Sequence, residues 1–333
     1  MNSKQNLLET IHWGNPEYMP TYLDSEALVG TPVKELFVHP YAESRKDCFG
    51  VDWLIETAGP IPDPSKVMFD DVEDWEEYVK FPDLDAVDIR PMAEAELAKI
   101  NRDEKLITYY AATGIFERLQ AFMGFENMLI GLAASPDACK DYFDAMADYQ
   151  IALYKKIRDA YDIEMYVNFD DIATARGLFM SPQMYREIIW PYQKRIADAV
   201  REDDIIFTMH TCGLCEDVLD DYVEMGVQMW SSAQPMNDIA SLLEKYRGKL
   251  VIEGGWDSNG EVCLDTATAE DWREETRRCA REYGVHGGYV FFPFIITSQG
   301  NAFAKRDPRC AAIMDEYQKV KYCLNEASAA RCA

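Results

Sequence analysis

Two rhythms of apolar residues alternate along this chain. Short runs that are apolar on both faces, rich in β-branched and aromatic residues, occupy 106–111, 164–169, 205–210, 227–231, 250–253 and 288–292. Between them apolar side chains return every three or four positions, over 90–101, 115–132, 136–161, 181–202, 214–225, 236–247, 268–283 and 308–327. The first rhythm is that of a strand buried on both sides, and the second that of a helix with one apolar stripe. Ser135-Pro136 and Ser181-Pro182 mark two helix starts, with serine as N-cap and proline in the first turn. Strand and helix taken in turn predict a parallel sheet covered by helices.

The first quarter is less regular. A helix at 3–13 stops at Gly14-Asn15-Pro16, and 18–23 offers a first short strand. Residues 24–89 keep neither rhythm, with prolines at 32, 40, 60, 62, 64 and 82 and an acidic run at 70–74. A small hairpin at 51–55 is the one element legible there. This stretch reads as the loop-rich rim or lid of a single domain spanning 1–333. Seven strands with room for an eighth predict an α/β fold, a closed (β/α)8 TIM barrel with an irregular N-terminal extension. An open doubly wound sheet is the lesser fit, since no Gly-x-Gly-x-x-Gly follows a strand.

Composition narrows the function. The 333 residues carry 59 acidic against 33 basic side chains, a net charge of −26. Such a surface disfavours nucleic acid, anionic membranes and polycarboxylate substrates. No apolar run approaches the ~20 residues of a membrane span, and the N-terminus lacks a signal peptide's apolar stretch, so a cytoplasmic protein is expected. Nine cysteines without framework spacing suit reduced thiols, with Cys323 and Cys332 incidental ones.

The candidate chemistry lies at the C-terminal ends of the strands, where the sites of such barrels are found. Ile205-Ile206-Phe207-Thr208-Met209 runs into His210-Thr211-Cys212-Gly213. Residues two apart on a strand share a face, so an imidazole and a thiol project together, half of a plausible zinc site. Other strand ends supply Asp170 and Asp171, Trp230, Ser231 and Gln234, then Glu253, Trp256 and Asp257, then Phe291, Phe292 and Phe294. Asp170 or Asp171 could equally cap a loop or pair with Arg176, and Glu253 could be a salt-bridge partner. Cys212-Gly213-Leu214-Cys215 has redox spacing, but on the wrong architecture.

The segment Gly177-Leu178-Phe179-Met180-Ser181-Pro182, with Trp190-Pro191-Tyr192-Gln193 after it, resembles the uroporphyrinogen decarboxylase superfamily. So do His210-Thr211-Cys212-Gly213, the run Asp220–Gly226 and Gly254-Gly255-Trp256-Asp257. The resemblance implies a distorted (β/α)8 barrel with its site at the C-terminal mouth. Decarboxylases of this superfamily hold substrate carboxylates with an arginine-rich N-terminal segment; here Tyr18-Met19-Pro20-Thr21-Tyr22-Leu23-Asp24 has no arginine. His-x-Cys is instead the zinc signature of the corrinoid-dependent methyltransferases, the other branch.

Enzymes of that branch that methylate a thiol carry a second zinc cysteine on the last barrel strand, which here reads Tyr289-Val290-Phe291-Phe292. A carboxylate from Glu253, Asp170 or Asp171 is then expected beside His210 and Cys212, with Cys215 a lesser candidate. The likeness is greatest to veratrol:corrinoid-protein O-demethylase methyltransferases. It implies methyl transfer from a methoxylated, aromatic small molecule to the cob(I)alamin of a separate, cognate corrinoid protein. Zn2+, or an acid such as Glu253 or Asp171, would stabilise the leaving oxygen, and Trp230, Trp256, Phe291 and Phe292 would form the slot for the ring. The reverse transfer, from a methylcobalamin protein to a thiol or pterin, and a ligand-binding barrel without methyl transfer are the alternatives. The resemblance leaves room for a homodimer.

Overall fold

The structure, a computed structural model, describes residues 1–30, 46–56 and 59–324. Seven parallel strands form one curled sheet: β1 (Glu26–Val29), β2 (Leu106–Ala111), β3 (Met165–Phe169), β4 (Ile206–His210), β5 (Met229–Ala233), β6 (Val251–Gly255) and β7 (Tyr289–Phe292). They pair in chain order, so each helical crossover returns the chain to the next position of the sheet. The far edge of β7 is not open. Thr21 bridges Phe291 in parallel, and the Phe291 amide donates to the Pro20 carbonyl at 2.8 Å. The chain just ahead of β1 thus meets the last strand, giving a distorted (β/α)8 barrel.

The expected strand at 18–23 contributes only this one bridge. Tyr22–Ser25 winds into a single helical turn instead, and the first full strand is β1, inside the stretch read as irregular. The cause is local hydrogen bonding: the Ser25 hydroxyl donates to Thr21 O at 2.7 Å, and Lys105 Nζ to Leu23 O and Asp24 O at 3.1 and 2.6 Å. The hairpin is formed by Trp53–Glu56 and Gly59–Pro62. Ser135 stands at the N-cap of the helix Pro136–Tyr161, but its hydroxyl donates to Glu73 rather than capping, whereas Ser181 accepts from the Met184 amide.

Strand parity divides the side chains into two populations. Leu106, Met165, Ile206, Met229, Val251 and Val290 point inward and fill the lower barrel, where Leu7 and Ile11 of the helix Ser3–Ile11 plug the N-terminal end. The alternate residues, among them Tyr109, Tyr166, Phe207, Trp230, Ile252 and Phe291, point outward into the larger core between sheet and helices. Phe49, Val51, Trp53, Phe69 and Val72 from the rim belong to that same outer core.

A buried ion pair fastens the rim to the barrel. Asp47 meets Arg118 of the helix Ile115–Met123 with both side chains almost fully removed from solvent. The Asp47 carboxylate also accepts from the Phe49 and Val51 amides and the Trp53 indole, each at 3.0 Å. Cys323 is disulfide-bonded, which corrects the reading of that residue as an incidental thiol; Cys332 lies outside the described residues. Cys139, Cys212, Cys215, Cys263, Cys279 and Cys310 are free thiols.

Removing one partner of a buried pair strands the other charge, at about 3–5 kcal/mol. Asp47→Ala is therefore expected to lower unfolding stability by that amount in urea titration; a loss under about 1 kcal/mol would show the clasp to be dispensable.

Candidate active site

The inward residues of the upper barrel are polar, acidic or aromatic where those below are aliphatic. Around the mouth stand Tyr110 (β2), Phe169 (β3), His210 (β4), Ser231 (β5), Glu253 (β6) and Phe292 (β7), each on the inner face by register. His210 lies flat on the Phe169 ring, with centroids 4.3 Å apart and 17° between planes. Its Nδ1 meets the Tyr110 hydroxyl and lies 3.2 Å from Ser231 Oγ, and Ser231 Oγ donates to Glu253 Oε2 at 2.6 Å. Fixing Nδ1 in this way turns the other ring nitrogen toward Cys212, whose Sγ is 3.7 Å from Nε2.

Cys212 leaves the strand on a sharp turn. Gly213 has φ of +91°, and a Cβ there would fall 2.7 Å from Thr174 O, so glycine is required. The Cys212 amide donates to Asp171 Oδ1 at 2.7 Å, drawing that carboxylate to the thiol. Ser232, in the left-handed region at φ of +65°, presents its hydroxyl to Cys212 Sγ at 3.5 Å. This conformation coincides with a register shift between β5 and β6, a bulge that lets Ser231 face His210 while Ser232 faces Cys212.

Among the described residues, Asp171, His210 and Cys212 form a group whose ligand atoms all lie within 4.8 Å of one another. The structure thus brings together three residues singled out in the sequence. It separates the others. Asp170 points away from the cluster, its carboxylate accepting from the Phe116 and Glu117 amides at 3.2 and 3.0 Å and from Gln193 at 2.8 Å. It caps the N-terminus of the helix Ile115–Met123 and lies outside the ligand group. Glu253 sits behind Ser231 and outside the ligand group, which corrects its place in the expected metal set. Cys215 turns its thiol to the carbonyls of Cys212 and Gly213 and lies outside the group as well.

The aromatic slot also changes. Trp230 faces the helix layer and donates its indole N–H to Thr211 O at 3.1 Å. Trp256 packs on Trp272 and Phe291, and Phe291 stacks on Tyr317, all in the outer core. Outward strand parity removes Trp230 and Phe291 from the mouth, and Trp256, just past the end of β6, packs with the outer core. Phe292 remains, packed on Tyr22 at 4.6 Å and stacked with Phe294 at 5.9 Å between centroids. Tyr22 and Phe294 are its aromatic neighbours, and Phe169 lies against His210.

Two acidic residues went unread in the sequence. Glu26 lies on β1 paired with inward-facing Leu106, and Glu117 in the first turn of the helix after β2. The helix-start position of Glu117, straight after a strand end, was the available signal.

The charge at the mouth is unbalanced. Burial raises the carboxyls of Asp171 and Glu253 to about 6 and about 7, and burial with repulsion from Asp171 drives Glu117 well above the usual carboxylate range. Burial and then Asp171 push the Cys212 thiol up. Glu117 Oε2 and Glu253 Oε1 are buried without a hydrogen-bond partner. Carboxylates and a thiol enclosed in this way favour a cation in their midst.

Residues 41–293 match the family model described as uroporphyrinogen decarboxylase (URO-D). No curated protein sequence matches the chain. Among solved structures, a methyltransferase from Methanosarcina mazei superposes with a TM-score of 0.67 at 14% identity, over 95% of this chain and 99% of the other. At that identity the likeness concerns the fold.

Glu253 titrates above the ordinary glutamate value, so its contribution to stability is complete at low pH and is lost as pH rises through about 7. In metal-stripped protein the melting temperature is expected to fall more between pH 5 and 8 for the wild type than for Glu253→Gln. Parallel melting curves across that range would contradict the placement of this carboxyl.

Proposed function

This chain belongs to the uroporphyrinogen decarboxylase (URO-D) family, and from that footing we propose that it transfers methyl groups rather than removing carboxyl groups. The carrying observation is the ligand group of Asp171, His210 and Cys212 at the mouth. One thiolate, one imidazole and one carboxylate suit Zn2+, and an open fourth position suits catalysis. The orphaned oxygens of Glu117 and Glu253 support the fit. A decarboxylase of polyanionic porphyrins needs cationic clamps, and the segment 18–24 that borders this mouth has none. The methyltransferase from Methanosarcina mazei shares the architecture.

The donor is a small methoxylated, aromatic molecule, and the acceptor is the cob(I)alamin of a cognate corrinoid protein docking at the mouth. Zinc, when bound there, would supply Lewis acidity for the departing ether oxygen. The protein's own groups do the remainder. Asp171, Cys212 and His210, the last pinned at Nδ1 by Tyr110 and Ser231, would hold the ion. Phe292, Phe294 and Tyr22 offer apolar faces to the ring. Glu253, protonated in part near neutrality, can give a proton to the departing oxygen. Absence of a sulfur ligand on β7 favours ether cleavage over thiol activation.

The test is metal analysis coupled to methyl transfer from methoxyarenes to cob(I)alamin. Wild-type protein is expected to hold one zinc per chain. His210→Ala, Cys212→Ala and Asp171→Ala lose the metal, with transfer reduced by roughly 10²-fold or more. Wild-type protein that is fully active without metal, or that methylates thiols from methylcobalamin instead, would overturn the proposal.

A further inference from the structure

Strand β5 carries two consecutive serines, and both hydroxyls reach the ligand group. Ser231 Oγ lies 3.2 Å from His210 Nδ1, and Ser232 Oγ 3.5 Å from Cys212 Sγ. On a regular strand neighbouring side chains point to opposite faces, so one of the pair would turn to the helix layer. The bulge prevents this. Trp230 pairs with Ile252 and Ala233 with Gly254, so β5 takes three steps where β6 takes two. Ser232, inside that longer step, has φ of +65° and is buried.

Glycine is the residue this backbone favours, because a Cβ in the left-handed region crowds the following carbonyl. Glycine does occupy neighbouring positions of positive φ: Gly213 after the ligand turn, and Gly254 and Gly255 across the bulge on β6. Serine at 232 is therefore a strained choice. Its hydroxyl has no hydrogen-bond partner other than Cys212 among the described residues. A thiol at Cys212 donates to that hydroxyl oxygen. A metal-bound sulfur has no proton to give, so the hydroxyl then donates to sulfur instead. A sulfur that accepts a hydrogen bond releases less charge to the ion, and the ion stays the stronger Lewis acid.

We propose that Ser232 is a positioning residue, kept in a strained conformation so that its hydroxyl donates to the Cys212 sulfur. That bond raises the electrophilicity of the ion that Asp171, His210 and Cys212 would hold. The proposal rests on the methyl-transfer reading above and assigns the β5 bulge a part in that reaction. The two serines divide the task. Ser231 fixes the His210 ring from Nδ1, and Ser232 sets how much charge Cys212 gives away. Relief of strain and loss of function then coincide at one position.

The experiment sets Ser232→Gly beside Ser232→Ala. Glycine removes both the hydroxyl and the strain; alanine removes the hydroxyl alone. In metal-free protein Ser232→Gly is expected to melt about 1–3 °C above the wild type, and Ser232→Ala no higher than it. With Co2+ bound in place of zinc, both variants should move the sulfur-to-cobalt charge-transfer band to longer wavelength by the same amount, since a thiolate without the hydrogen bond gives up an electron more readily. Zinc-loaded variants should transfer methyl groups about 10–100-fold more slowly than the wild type, with zinc content unchanged. A band left at the wild-type wavelength, a shift that follows melting temperature rather than the hydroxyl, or a Ser232→Gly protein no more stable than the wild type would overturn the proposal. So would wild-type protein that shows no sulfur-to-cobalt band. Wild-type protein inactive on every methoxyarene would instead remove the methyl-transfer reading, while shifted bands would still establish the bond from Ser232 to Cys212.

Discussion

The mouth of this barrel encloses more negative charge than its own side chains neutralise. Asp171, Glu117, Glu253, Glu26 and the Cys212 thiol converge there, and burial holds each in its uncharged form to a degree that water would not. Arg118, on the helix Ile115–Met123, is turned to Asp47 and the rim. A fold that tolerates this imbalance is built to receive positive charge or to store protons. On the proposed reading the cluster of Asp171, His210 and Cys212 would serve the first purpose.

What aims these groups is the parity of the strands. Apolar inward residues fill the lower barrel, and two residues further along β2, β4, β5 and β6 the same face carries Thr108, Thr208, Ser231 and Glu253. Small irregularities complete the aim: the left-handed turns at Ser232 and Gly213, and the bulge between β5 and β6. Each costs local backbone freedom of order 1–3 kcal/mol for a strained non-glycine residue, which the surrounding packing supports.

The barrel was legible because its strands and helices keep two clean periods, and His210 with Cys212 because spacing by two places both on one face. Parity was equally available for Trp230 and Phe291: each is one residue out of phase with an inward neighbour, Met229 or Phe292. The choice between Asp170 and Asp171 was beyond sequence, because it depends on the amides of the helix Ile115–Met123 arriving beside Asp170 from another unit. Glu26 was hidden for a different reason: β1 is four residues long and follows a helical turn, so no rhythm announced it.

X-ray absorption at the zinc edge addresses the unbalanced mouth most directly, because it counts the sulfur atoms around the ion. A single sulfur at about 2.3 Å, with the remaining ligands nitrogen and oxygen near about 2.0–2.2 Å, is the outcome the account predicts. Two sulfurs, or none, would place the ion elsewhere or draw Cys215 into the shell, and the arrangement described for Asp171, His210 and Cys212 would fall.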